Sequence, residues 1–243
     1  MEIVGNGSFI RKLISCIKDF TESSNIIINK NSFEIQAMDN AHVAVMYVRL
    51  NSDFFDKFKC EQDLSLGLNF ETLHKILKVN KSDLIKFHTE NDDSLCIDTI
   101  DSFSSHSFEM KLMDIEVDLL QIHELDFTYI ATIDSKKFHH LIKELSEFGE
   151  NCEFICSEDN LTLKVEGDYG ITTAVIENII INCKQEITLK FAFNYLLSIT
   201  SFQVSETLLF KLGEDIPLCV EYPINDGKII FFLAPKLSDM EEI

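Results

Sequence analysis

The chain has 243 residues, 46% of them hydrophobic, with 41 acidic against 21 basic side chains and a net charge of −20. Such a chain has the apolar content to bury cores, and its overall field repels nucleic acid unless the cations are gathered in one place. No apolar run approaches the roughly 18 residues of a membrane helix, and the N-terminus Met1-Glu-Ile-Val-Gly-Asn6 lacks the basic flank and apolar stretch of a secretory leader. An intracellular protein with no membrane segment is expected.

In chain order, Phe9, Ile10, Leu13, Ile14 and Ile17 recur at helical spacing and predict a helix over 8–20, with Ser8 as its N-cap. Residues 25–50 alternate like strands, the last of them at 42–50. A strand at 62–68 leads into a second helix at 69–78, and strands follow at 84–89, 94–100 and 106–113. The segment 115–128 mixes acids with aliphatics and reads as a linker. Beyond it, helices are predicted at 135–148 and 192–200. The strands 218–224 and 228–233 are joined by Asn225-Asp226-Gly227, a tight hairpin signal.

This order occurs twice because the sequence does. Cys60-Glu-Gln-Asp-Leu-Ser-Leu-Gly-Leu68 returns 123 residues later as Cys183-Lys-Gln-Glu-Ile-Thr-Leu-Lys-Phe191. Leu95-Cys-Ile-Asp98 returns at the same offset as Leu218-Cys-Val-Glu221, and Phe70, Leu73 and Ile76 as Phe193, Leu196 and Ile199. Nearer the N-terminus the offset is 128: Leu13, Ile14, Ile17 and Phe20 fall on Leu141, Ile142, Leu145 and Phe148. A five-residue indel between about 43 and 60 reconciles the two offsets. The chain is one unit of roughly 115 residues written twice, with domains expected at 1–114 and 129–243.

The seven cysteines, an odd count, suit a reduced compartment. Cys96, between Leu95 and Ile97, is placed to pack as a small apolar side chain. Cys152 and Cys156, the one close pair, would point the same way from a strand, too far apart to bridge, and have no histidine beside them to make a metal site.

The cations gather on helices. Arg11 and Lys18 are seven residues apart, share a face away from Leu13, Ile14 and Ile17, and have Lys12 beside them. Lys75 and Lys78 share a face of the second helix, with Lys81 after its end. Lys136, His140 and Lys143 share a face of the third. One such face is ordinarily a solvated surface. Three in so acidic a chain suit phosphate contact without base readout. No aromatics interleave with them, so single-strand stacking is not indicated.

Catalytic motifs are absent: no G-x-x-x-x-G-K-[ST], G-x-G-x-x-G, H-E-x-x-H or G-x-S-x-G occurs. The histidines are scattered, and the adjacent His139 and His140 diverge on a helix. A protein that is not an enzyme and needs no cofactor or metal is expected. Leu119, Leu120 and Ile122 in the linker, with Phe231-Phe-Leu-Ala-Pro235, could form an apolar partner surface or pack on a sheet.

Four segments carry a resemblance over the full length: Glu109-Met-Lys-Leu-Met-Asp114, Gln36-Ala-Met-Asp-Asn-Ala-His-Val43, Leu73-His-Lys-Ile-Leu-Lys78 and Phe232-Leu-Ala-Pro-Lys-Leu-Ser-Asp239. In them the chain resembles the proliferating cell nuclear antigen family of DNA sliding clamps. The resemblance implies two similar α+β clamp domains, with antiparallel sheets outside and four short helices lining a ring made by a head-to-tail homotrimer. It implies double-stranded DNA as a sequence-independent partner. DNA polymerase, the clamp loader and other replication and repair proteins would bind through short helical peptides, in the nucleus.

Carried over by position, the family's DNA-facing cations fall on Arg11, Lys12, Lys18, Lys75, Lys78 and Lys143. Its peptide pocket falls on Met38, His42, Val43, Leu120, Ile122, Pro217, Phe232, Ala234 and Pro235. Its subunit contact falls on the edges 107–113 and 169–176, with Phe108, Met110, Tyr169 and Ile171. Glu147, Asn194 and Ser201 stand where basic or histidine residues are common, so the second domain is expected to grip DNA less. His123 replaces a usual linker proline, and Glu158 a lysine modified in many eukaryotic clamps. Two other readings remain open here: a subunit of a heterotrimeric clamp, and a peptide-binding scaffold that never encircles DNA.

Overall fold

The structure is a computed structural model that describes residues 1–79, 81–91, 93–100, 104–116 and 125–236. The chain divides into two compact units, Met1–Gln121 with Ile224–Ile229, and Ile122–Pro223 with Ile230–Ile243. Among the described residues no helix is long and apolar enough to cross a membrane.

The first unit opens with β1 (Glu2–Asn6), which runs directly into α1 (Gly7–Ile17). Then come β2 (Ser23–Ile28), β3 (Ser32–Met38), β4 (Ala44–Asn51), a 3-10 turn (Ser52–Phe54), β5 (Lys57–Lys59) and β6 (Leu64–Asn69). α2 (Phe70–Val79), β7 (Leu84–His88), β8 (Ser94–Ile100) and β9 (Ser105–Lys111) complete it. Strands pair antiparallel in the orders β5-β1-β7-β8-β9 and β4-β3-β2-β6.

The second half of the chain repeats this order. It has β10 (Tyr129–Asp134), α3 (Ser135–Leu145), β11 (Asn151–Cys156), β12 (Leu161–Gly167), β13 (Gly170–Ile176) and β14 (Ile180–Cys183). β15 (Ile187–Ala192), α4 (Phe193–Ser201), β16 (Thr207–Leu212), β17 (Leu218–Ile224) and β18 (Gly227–Leu233) follow. Here the orders are β14-β10-β16-β17-β18 and β13-β12-β11-β15. The two strands of the last hairpin are separated by Asn225 and Asp226, and Asp226 takes the left-handed conformation at φ 58°.

The duplication extends to single hydrogen bonds. Asn6 caps α1 by accepting the Phe9 amide at 2.9 Å, and Asp134, 128 residues on, caps α3 by accepting that of Lys137 at 2.9 Å. The turn amide of Asn29 donates to the Ser32 carbonyl at 3.0 Å, and that of Ser157 to Asn160 at 3.1 Å. α2 is tied through Phe70 N to Glu22 O at 2.8 Å, and α4 through Phe193 N to Glu150 O at 2.9 Å. Met113 N donates to Gly67 O at 2.9 Å, as Lys236 N does to Lys190 O at 2.8 Å. A Cβ at Gly67 would lie 2.1 Å from the Met113 carbonyl oxygen, so the first unit needs glycine where the second accepts Lys190.

Several boundaries differ from the sequence reading. The cap of α1 is Asn6, not Ser8, because β1 enters the helix without a loop. α1 ends at Ile17, and Asp19 and Phe20 continue in tighter turns, donating to Cys16 and Ile17 three residues back. These turns bring Phe20 into the core at a spacing that mimics another helical turn. β4 starts at Ala44 because the Asp39 carboxylate accepts the Val43 and Ala44 amides at 2.7 Å each, holding the preceding residues in a turn.

Helices and strands are held by apolar faces of matching period. α1 buries Ile10, Leu13, Ile14 and Ile17, while α3 buries Phe138, Ile142 and Leu145. In the second core Phe154 stacks on Phe210 at 5.1 Å and meets Phe191 edge-on at 5.5 Å, all three fully buried. Each contributes about 1.5–3 kcal/mol by burial. The five extra residues of the first half fall in the stretch holding Phe54, Phe55 and Phe58, which join Phe9 and Phe33 in a chain of ring contacts at 4.7–5.7 Å.

All seven cysteines are free, and six are buried. Burial pushes the Cys152 and Cys219 thiols up to about 12 and those of Cys16 and Cys156 higher still, so they pack as inert apolar groups.

Candidate nucleic-acid interface

In the first unit the solvent side of α1 and α2 carries the cations. Lys12 is exposed, and Arg11 and Lys18 are half-buried, opposite the buried leucine and isoleucine face. Arg11 donates from its guanidinium to the Ser82 carbonyl at 2.9 Å, so the side chain binds the loop after α2. Lys18 lies 2.6 Å from Asp19.

On α2, Phe70, Leu73 and Leu77 are buried, while Lys75 and Lys78 are exposed. Glu71 and Lys75 form an i,i+4 pair at 3.7 Å. Half-buried His74 lies one turn before Lys78. Burial and then the charges of Lys18 and Lys78 hold its imidazole below the ordinary value, with Asp19 opposing. With α1 packed on α2, the charges of both Lys18 and Lys78 therefore reach His74. The sequence reading missed His74, although its i,i+4 spacing to Lys78 was visible.

In the second unit Lys136, Lys137 and Lys143 are exposed on α3, and His140 pairs with Glu144 at 3.4 Å. His139 meets the Thr200 hydroxyl at 2.9 Å, and burial followed by Lys143 and His140 lowers its basicity. α4, Phe-Asn-Tyr-Leu-Leu-Ser-Ile-Thr-Ser, has no charged residue. Asn194 and Ser201 are exposed at its surface.

Of the peptide-pocket positions in the first unit, Met38 ends β3 half-buried, His42 is exposed at φ 57° and Val43 is half-buried. In the second, Pro217, Phe232 and Pro235 are half-buried and Ala234 is exposed. Leu120, Ile122 and His123 lie outside the described residues, as do Leu119 and the acidic residues after Lys236.

Of the subunit-contact positions, Phe108 is half-buried on β9 and stacks with His106 at 6.1 Å, whereas Met110 is buried within its own unit. Tyr169 is fully exposed at the β12–β13 turn. On β13, Ile171 is 62% and Val175 52% exposed. β13 has β12 as its one strand neighbour among the described residues. Glu158 is exposed. Among the described residues no three His, Cys, Asp or Glu side chains gather as metal ligands.

Comparison with known proteins agrees with this architecture. Residues 2–120 match the family model "Proliferating cell nuclear antigen, N-terminal domain", and residues 121–237 match the C-terminal domain of the same family. Proliferating cell nuclear antigen 2 of Drosophila melanogaster is 29% identical over 250 aligned positions, covering 95% of this chain and 94% of that one. The crystal structure of the Entamoeba histolytica proliferating cellular nuclear antigen superposes with a TM-score of 0.90 at 24% identity, covering 97% of this chain and 98% of that one, a likeness of fold. With both halves matched in order by the two domains of one family, the chain belongs to the proliferating cell nuclear antigen family and is a DNA sliding clamp.

Proposed function

We propose that three copies of this chain close head to tail around duplex DNA, with α1, α2 and α3 turned toward the phosphates. The observation that carries this reading is the gathering of exposed cations on those helices in a chain of net charge −20. A closed ring cannot leave DNA sideways, so weak salt-sensitive contacts suffice and permit sliding, while the acidic remainder disfavours DNA elsewhere. Contacts come mainly from Arg11, Lys12, Lys18, Lys75 and Lys78 in the first unit. The second supplies Lys143 with its α3 neighbours and nothing charged from α4.

Head-to-tail closure joins the β9 edge of one copy to the β13 edge of the next, covering Ile171 and Val175. Met38, His42, Val43, Leu120, Ile122, Pro217, Phe232, Ala234 and Pro235 receive a short helical peptide with aromatic anchors from polymerase, clamp loader and repair proteins. Tethering them raises their effective concentration at the template, in the nucleus, without chemistry by the clamp. After loading, the chain is expected to stay on circular duplex DNA and be lost from linear DNA. Equal loss from both would refute encirclement, and a native mass other than three chains would refute the homotrimer.

A further inference from the structure

We propose that Lys18, His74 and Lys78 form a phosphate subsite on the first unit in which His74 is a proton-dependent third cation, so that one phosphodiester of the duplex is held more tightly when the imidazole is protonated. This rests on the duplex-facing reading of α1 and α2, and adds a residue and a dependence that the lysines alone do not supply.

The two rows of α2 differ. Along one, Lys75 has Glu71 at 3.7 Å, so this helix carries a counter-charge for that lysine. Along the other, His74 and Lys78 follow one another at i,i+4 with no acid between them, and the charge of Lys18, the C-cap of α1, also reaches His74. The charged groups facing His74 are Lys18, the C-cap of α1, Asp19 in the turn after it, and Lys78 from its own helix. β2 and β6, the strands packed most extensively on α2, contain no charged residue.

In the free chain His74 is half-buried beside two cations, and both conditions oppose its protonation. A phosphate at the mouth of this cluster reverses the balance. It offers an anionic acceptor to the imidazolium N–H and to both ammonium groups, and competes with Asp19 for Lys18, a pairing between sequence neighbours with solvent access on both sides. Binding and proton uptake are then linked: each favours the other. The corresponding α4 positions in the second unit are Leu197 and Ser201, so the subsite occurs once per chain.

The test uses the full chain and a short duplex at fixed low ionic strength. The unaltered chain is expected to bind about two- to fivefold more tightly near pH 6 than near pH 8. His74→Gln is expected to lose that gain and keep its affinity near pH 8. As a measurement independent of variants, NMR titration of the His74 ring is expected to show its protonation shifted to higher pH by the duplex. A His74→Gln chain with undiminished pH dependence, or a His74 titration unmoved by duplex, overturns the proposal while leaving the clamp reading intact. Failure of the unaltered chain to bind duplex at either pH overturns both.

Discussion

Arg11, proposed to face the duplex, also makes a structural bond. In the second unit the start of α3 is tied to the loop after α4 through Ser135, whose amide and hydroxyl both donate to the Glu206 carbonyl and whose hydroxyl also reaches Ser205. Gly7, its counterpart, keeps the backbone bond, to Asp83 at 2.7 Å, but has no hydroxyl. A Cβ there would lie 2.3 Å from the Ser82 carbonyl oxygen. The loop comes closer in the first unit, and Arg11 supplies the missing donor to Ser82. Arg11→Ala is therefore expected to cost about 1 kcal/mol of stability and to speed amide exchange at 81–84, which Lys12→Ala is expected to leave unchanged. Equal exchange in both variants would reduce Arg11 to a surface cation.

The two helix-facing histidines also carry a stability signature. His74 and His139 are both held below the ordinary 6.5 in the folded chain, burial being the larger cause in each. As pH falls the unfolded chain takes up these protons first, so stability is full above about 6.5 and declines below it. Asp98 and Glu2 are held low instead. Lys57 chiefly holds Glu2, while the Ser107 hydroxyl, His88 and Lys86 outweigh burial at Asp98. Their contributions are lost only in more acidic solution. The melting temperature is expected to fall between about pH 7 and 5.5, less steeply in His74→Gln. A flat profile would mean that neither imidazole resists protonation.

At the scale of elements, the internal repeat let the sequence place helices and strands where no single motif would. α1 and α3 coincide at an offset of 128, and β6 and β15 at 123, because the same apolar periods face the same kind of core. What stayed hidden depends on partners remote in sequence. Asn6 and Ser8 are equally good caps on paper, and the choice follows from β1 entering the helix directly. That the charge of Lys18 reaches His74 required α1 and α2 to be packed together.

Of the edge residues, Met110 faces inward while Ile171 lies on an uncovered strand, so the substitution that tests head-to-tail assembly belongs on β13. Ile171→Asp adds a charge where the neighbouring copy's strand would pair, without disturbing the buried Leu161, Leu163 and Val165 of β12. A cooperative melt close to that of the unaltered chain, with a mass of one chain instead of three in light scattering, is the expected outcome. A persistent trimer would exclude β13 from the contact.

For the molecule as a whole, the decisive quantity is where charge lies rather than how much there is. The acidic excess, 41 residues against 21, makes any duplex contact local, and in the proposed ring the local source is the helix set. Each phosphate neutralised by a lysine contributes about 0.9 to the slope of log affinity against log salt. Reversing Lys12 and Lys75, exposed on different helices and outside the His74 cluster, is expected to weaken duplex binding and flatten that slope by about 2. Neither side chain is buried, so the native mass of the assembly is expected to remain that of the unaltered protein. An unchanged salt slope in the doubly reversed chain, at unchanged mass, would place the DNA on another surface. A changed mass would tie these two lysines to assembly as well.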